Sequence, residues 1–253
     1  MSLLVVDNVG VHFGGVSALD GLSFSIEEGQ LAALIGPNGA GKTTLFNVVS
    51  RIYEASEGAV TFDGRDLLAM PAHSIAELGV GRTFQNLALV PGLTVLENVM
   101  VGAHSRSSGG FWSAILRFPQ AAEERRVATR AHEILERLSL DHLAGRPCAG
   151  LPYGTLKRIE FARALAGKPR LLMLDEPASG LTHGEVDELG ALIRQIRDEF
   201  DLTVLLVEHH MSMVMAISEK IVVMDLGTKI AEGDPAAVRD DPAVISAYLG
   251  AST

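Results

Sequence analysis

Gly36-Pro37-Asn38-Gly39-Ala40-Gly41-Lys42-Thr43 reads as glycine, four residues, then glycine, lysine and threonine. The run before it, Leu31–Ile35, is apolar, and a helix is expected from Lys42 to about Ser50. Strand, glycine loop and helix in that order make an anion cradle. Glycines let backbone N–H groups close around phosphate oxygens where a side chain would collide. The following helix directs its positive end at the same anion. Lys42 supplies a mobile charge for the outer phosphates, and the Thr43 hydroxyl is a candidate Mg²⁺ ligand. The candidate nucleotide-binding set runs through Gly36, Pro37, Asn38, Gly39, Ala40, Gly41, Lys42, Thr43 and Thr44.

A second apolar run, Leu171-Leu172-Met173-Leu174, ends in two acids, Asp175-Glu176. Acids at the carboxyl end of a parallel strand sit where open α/β sheets bind ligands. Asp175 is the candidate for holding Mg²⁺ through water, and Glu176 the candidate base for an attacking water. Two further runs, Val204–Val207 and Ile221–Met224, have the continuous apolar character of buried parallel strands. Between them and the acids, Thr182 and Glu185 have capping-box spacing, and Val186, Leu189, Leu192, Ile193, Ile196 and Phe200 recur at helical spacing. Strands alternating with helices imply a mainly parallel sheet.

The flanking regions differ. The N-terminal part reads as short strands and turns, punctuated by Gly14-Gly15 and Glu27-Glu28-Gly29. The middle, about 87–160, reads as mainly helical: Thr94 and Glu97 form another capping box, and residues from about 121 to 140 carry helical periodicity. Ser107-Ser108-Gly109-Gly110-Phe111-Trp112 looks like an insertion. The expected fold is α/β: a P-loop core from 1–86 and 161–253 with a mainly parallel sheet, an N-terminal antiparallel β region and a helical subdomain at about 87–160.

Composition narrows the class. The 253 residues are 47% hydrophobic and 21% charged, an ordinary globular balance, with a net charge of −10 that argues against a nucleic-acid partner. Cys148 is the only cysteine, so no intrachain disulfide is available. No stretch approaches the roughly 18 apolar residues of a membrane span, so action at a membrane requires another subunit.

In order, the chain carries the phosphate loop, Gln85 in Arg82-Thr83-Phe84-Gln85, Leu151-Pro152-Tyr153-Gly154, Asp175-Glu176 and His209. Over nearly its whole length it resembles the nucleotide-binding subunit of ABC transporters. The resemblance implies an ATPase using ATP and Mg²⁺, in which Phe13 stacks on adenine. It implies that Gln85 senses Mg²⁺ and the attacking water and couples the site to a permease, and that His209 contacts the γ-phosphate. It also implies a head-to-tail dimer around two ATP molecules, homodimeric or with a second ATPase subunit. Each signature loop, here offering the Tyr153 and Gly154 N–H groups, completes the partner's site. The expected location is peripheral, on the cytoplasmic face of the inner membrane, bound to integral-membrane permeases and served indirectly by a periplasmic or extracellular binding protein.

Two departures stand out. The family signature Leu-Ser-Gly-Gly-Gln is replaced by Leu151-Pro152-Tyr153-Gly154-Thr155, so the serine hydroxyl is absent. Thr182-His183 replaces the usual acid or Asn-Pro, with Thr182 a candidate helix cap. The Pro-Tyr-Gly signature, Phe13-Gly14-Gly15, Val207-Glu208-His209 and the ending Ala247-Tyr248-Leu249-Gly250 look like the branched-chain amino acid importer ATPases, although Thr155 stands where that subfamily commonly has glutamine. The alternative functions are a soluble ABC ATPase acting on nucleic acid, ribosomes or iron–sulfur assembly, and a different P-loop enzyme. The second lacks support from any Asn-Lys-x-Asp guanine-reading motif.

Overall fold

The computed structural model describes residues 2–83, 88–103 and 117–250, and the chain divides into two compact units. One comprises the residues up to Ile75 and from Arg170 onward; the other is Ala76–Pro169. In chain order the first unit contains β1 (Ser2–Phe13), β2 (Val16–Glu27), β3 (Leu31–Ile35), α1 (Lys42–Val49), β4 (Glu57–Phe62) and β5 (Arg65–Asp66), and α2 (Ala72–Leu78) spans the boundary in sequence. The second unit contains β6 (Val80–Arg82), α3 (Val95–Ala103), α4 (Arg117–Arg137) and α5 (Tyr153–Ala166). The first unit then resumes with β7 (Leu171–Asp175), α6 (His183–Glu199), β8 (Thr203–Val207), α7 (Met211–Ile217), β9 (Lys220–Asp225), β10 (Thr228–Gly233), α8 (Pro235–Arg239) and α9 (Pro242–Gly250).

Within the first unit the strands run β10-β9-β3-β8-β7. β9, β3, β8 and β7 are parallel, and β10 is antiparallel on β9. Every residue of β3, β7 and β8 is buried, which is why these strands read as unbroken apolar runs rather than alternating ones. Buried Thr203 fits because its hydroxyl accepts the Gly29 N–H at 2.9 Å. One cluster joins Ala33, Ile35, Ile221 and Val223 of the sheet to Val214, Val238 and Val244 of α7–α9, with Tyr248 packed against it.

The antiparallel sheet has the order β2-β1-β4-β5. β1 and β2 are each 12 residues long, not the short strands the sequence suggests. Register shifts between Val6 and Val9 and between Val9 and Val11 interrupt the period-2 pattern in the sequence, while Val6, Val9 and Val11 all stay buried.

The second unit is built on α3, α4 and α5, which pack pairwise. α3 begins at its expected capping box: Thr94 N–H donates to Glu97 Oε2 at 2.8 Å, and Glu97 N–H to Thr94 Oγ1 at 3.2 Å. Gly102 permits the close approach of α3 to α5, since a Cβ there would lie 1.9 Å from Arg163 O. Asn98, 1% exposed, holds the loop before α3 by accepting the Val90 N–H at 2.8 Å and donating to Val90 O at 3.1 Å. The insertion around Phe111 and Trp112 lies outside the described residues.

Candidate functional site

The glycine loop leaves β3 and enters α1 as the sequence requires. Gly36 has φ 152°, and a Cβ there would lie 2.1 Å from Met224 O, so a side chain at Gly36 would collide with the backbone of β9. α1 starts with Gly41 in the left-handed region and no side-chain cap, leaving the first-turn N–H groups to an outside acceptor. Lys42 is 8% exposed and folds back over the loop, donating to Gly36 O at 2.7 Å and Pro37 O at 3.0 Å. Burial pulls its pKa down, and the nearby carboxylates of Glu176 and Asp175 partly oppose that shift. An ammonium so placed is under-solvated and gains from an arriving polyanion.

The loop and Glu176 share one cavity. A space of about 210 Å³ is lined by Ala18, Asn38, Gly39, Ala40, Gly41, Lys42, Thr43, Thr44 and Glu176. Asp175 ends β7 and is 6% exposed. Glu176 follows with φ 46°, a left-handed conformation that costs a non-glycine residue about 1–3 kcal/mol. Its N–H still donates to Val207 O at 2.9 Å, extending the β7–β8 pairing by one bond while the backbone turns. The Thr43 hydroxyl and the Asp175 carboxylate are hard oxygen donors of the kind Mg²⁺ takes.

β8 lies between β3 and β7 and runs parallel to both, so its carboxyl end opens on the same edge of the sheet. His209 leaves that end with 57% of its side chain exposed and is not among the residues lining the cavity. His210 instead turns its Nδ1 onto Glu208 Oε2 at 2.9 Å. Phe13 ends β1 with 49% exposure and packs against Tyr53 in a T-shaped pair, with ring centroids 5.2 Å apart and planes at 75°. β2, paired to it, carries Ala18 into the cavity wall. Gln85 lies outside the described residues.

In the second unit, α5 begins at Tyr153 with Pro152 as its N-cap and no side-chain cap. The first helical bond there is Leu156 N–H to Pro152 O at 3.0 Å, so the Tyr153 and Gly154 N–H groups precede the helical ladder. Tyr153 is 40% exposed, and the Lys157 ammonium sits 5.7 Å from its ring centroid. Lys157 is itself buried and paired with Glu160 at 3.3 Å. The departure at Thr182 has a structural reason, because Thr182 and Glu185 complete the capping box of α6, with Thr182 N–H donating to Glu185 Oε2 at 2.8 Å.

Glu208 escaped the sequence reading except as part of a subfamily pattern. It is 1% exposed and accepts N–H bonds from Ala178, His209 and His210. The available signal was an acid directly after the apolar run Val204–Val207, where a buried polar group needs hydrogen-bond partners.

Comparison with known proteins agrees with this geometry. Residues 19–179 match the ABC transporter family, and residues 228–252 match a family described as branched-chain amino acid ATP-binding cassette transporter. The high-affinity branched-chain amino acid transport ATP-binding protein BraF of Pseudomonas aeruginosa is 43% identical over 98% of both chains. LivG of Escherichia coli, a protein of the same description, is 40% identical over 98% of both. Among solved structures, the ADP conformation of MJ1267, an ATP-binding cassette of an ABC transporter, superposes with a TM-score of 0.85 at 31% identity over 99% of both chains. A phosphate loop and an acidic strand end facing one cavity, in a chain related over nearly its full length to such cassettes, give one conclusion: the chain belongs to the ABC transporter family as an ATP-binding, ATP-hydrolysing subunit.

Proposed function

We propose that this subunit powers an importer for branched-chain or related amino acids from the cytoplasmic face of the cell's inner membrane. The observation that carries the chemical part is the single cavity bounded by Gly39–Thr44 and Glu176, with Lys42 buried beside both acids. The substrate class rests on the names of the full-length relatives and on the C-terminal match at residues 228–252.

In this reading the loop N–H groups and Lys42 hold the outer phosphates of ATP, and the half-exposed ring of Phe13 stacks on adenine. Thr43 and Asp175, joined by Gln85, hold Mg²⁺, which supplies charge neutralisation at the phosphate oxygens. Glu176 accepts the proton of the attacking water as general base, and His209 stabilises the γ-phosphate. Two such subunits, alike or different, close head to tail so that the Tyr153 and Gly154 N–H groups of one meet the ATP of the other. The permease docks near residues 85–90. There the second unit has a cavity of about 200 Å³ lined in part by Thr83, Ala88, Glu160 and Arg163, and Val90 is 46% exposed. The binding protein acts through the permease.

Glu176→Gln tests the chemistry. It should lower ATP turnover by about 10²–10⁴-fold, the range of a general base, while Mg-ATP binding persists. Unchanged turnover would remove Glu176 from the role.

A further inference from the structure

The first unit contains one fully buried carboxylate that the proposed chemistry does not use. Glu208 follows β8 directly, and its side chain has no exposure. Oε1 accepts the Ala178 N–H at 2.7 Å. Oε2 accepts the N–H of His209 at 2.9 Å and of His210 at 3.2 Å, and faces His210 Nδ1 at 2.9 Å. The two oxygens thus divide their work. One grips the turn that follows Glu176, and the other grips the turn that carries His209.

We propose that Glu208 is a positioning residue for ATP hydrolysis, fixing the Glu176 turn and the His209 turn relative to each other through its two carboxylate oxygens. The inference rests on the reading of Glu176 and His209 as reacting groups. Asp175 pairs with Val207 as the last register of β7 and β8, and the Glu176 N–H bond to Val207 O adds one more backbone link between the two strands. Beyond it the strands part into separate turns. Glu208 spans that gap from Val207's neighbour to Ala178. Three backbone N–H groups donate to its oxygens and His210 Nδ1 lies beside Oε2, so the buried side chain is held at both ends of its carboxyl group. Glu208, His209 and His210 also bring possible metal-ligand atoms within 4.8 Å of one another. Oε2 already meets the His209 and His210 N–H groups and His210 Nδ1, so a cation bound through it would have to displace one of them.

Glutamine has the same shape but only one acceptor oxygen, so its amide NH₂ must confront either the Ala178 N–H or the His209 and His210 donors. Steady-state hydrolysis by the full-length chain, by Glu208→Gln, by His209→Ala and by the double variant tests the proposal. Glu208→Gln should lower kcat about tenfold or more with KM for ATP within about twofold, since the phosphate loop is untouched. The double variant should be no slower than the slower single one, as expected of residues acting as a unit. The Ala178 amide should lose protection from hydrogen exchange. A folded Glu208→Gln protein with parental kcat overturns the proposal, as does a loss in which kcat and KM move together with a fall in Tm. Parental kcat in His209→Ala overturns the reading of His209 and the proposal with it. Parental kcat in Glu208→Gln beside a slow His209→Ala overturns the proposal alone. Should Glu208→Gln not fold, Glu208→Asp carries the same readouts, because it keeps the charge but retracts the oxygens by one methylene.

Discussion

The loop at Gly36–Thr44 and the loop at Leu151–Gly154 both present backbone N–H groups at a helix start, yet they are built on different terms. The first is anchored within its own unit. Its cavity is walled by its own unit, its lysine is buried and occupied with loop carbonyls, and its first glycine admits no side chain. The second is open. Its helix starts on a proline with no side-chain cap, and Tyr153 is 40% exposed. The first loop is constrained by its own backbone and side-chain bonds. The second has fewer constraints of that kind at its helix start.

That contrast makes ordered expectations. Lys42→Met should weaken Mg-ATP binding most, by about 10- to 100-fold, because it removes a charge-assisted contact made by a buried ammonium. Equal affinity by titration calorimetry would break the comparison at its stronger end. Pro152→Ser should do less. It supplies the missing N-cap hydroxyl, worth about 0.5–2 kcal/mol, and gives up the proline's restraint on the unfolded chain, worth about 0.4–1 kcal/mol. Denaturant unfolding should therefore shift by about 1 kcal/mol or less, with turnover moving less than about tenfold. A change as large as that of Lys42→Met would erase the distinction between the loops.

The smallest effect is a pH dependence. Burial lowers the Lys42 pKa from 10.5 in the nucleotide-free fold. Between the lowered value and 10.5 the unfolded chain binds a proton that the folded chain has lost, so stability rises with pH there. The parent should accordingly gain stability relative to Lys42→Met as pH climbs through that window. A difference between the two that is flat in pH would mean that burial does not strain the ammonium.

Much of the first unit was legible because its signals are local. Leu31–Ile35, Leu171–Leu174 and Val204–Val207 are buried on both faces and read as continuous apolar runs, and the capping box of α6 is present where its spacing puts it, as is that of α3 in the second unit. The 12-residue strands β1 and β2 were hidden because register shifts break their alternation. α4 runs from Arg117 to Arg137, against an expected 121–140: it starts in a segment without apolar periodicity, and Ser139 beyond its end has φ 54°. Glu208 was missed for a different reason. Three of its four contacts are with backbone N–H groups, which carry no side-chain signature in sequence, and one of them lies 30 positions away. The Thr182 departure was read correctly as a cap because both partners of a capping box are side chains three residues apart.

The central claim is that a nucleotide's outer phosphates lie between Gly36–Thr44 and the acids that end β7. It is tested most directly by a crystal structure of the Glu176→Gln chain with Mg-ATP. The γ-phosphate should occupy the cavity beside residue 176, and Lys42 Nζ should have exchanged the Gly36 and Pro37 carbonyls for phosphate oxygen. Nucleotide bound elsewhere, or Lys42 still bonded to those carbonyls with the cavity filled, would contradict it.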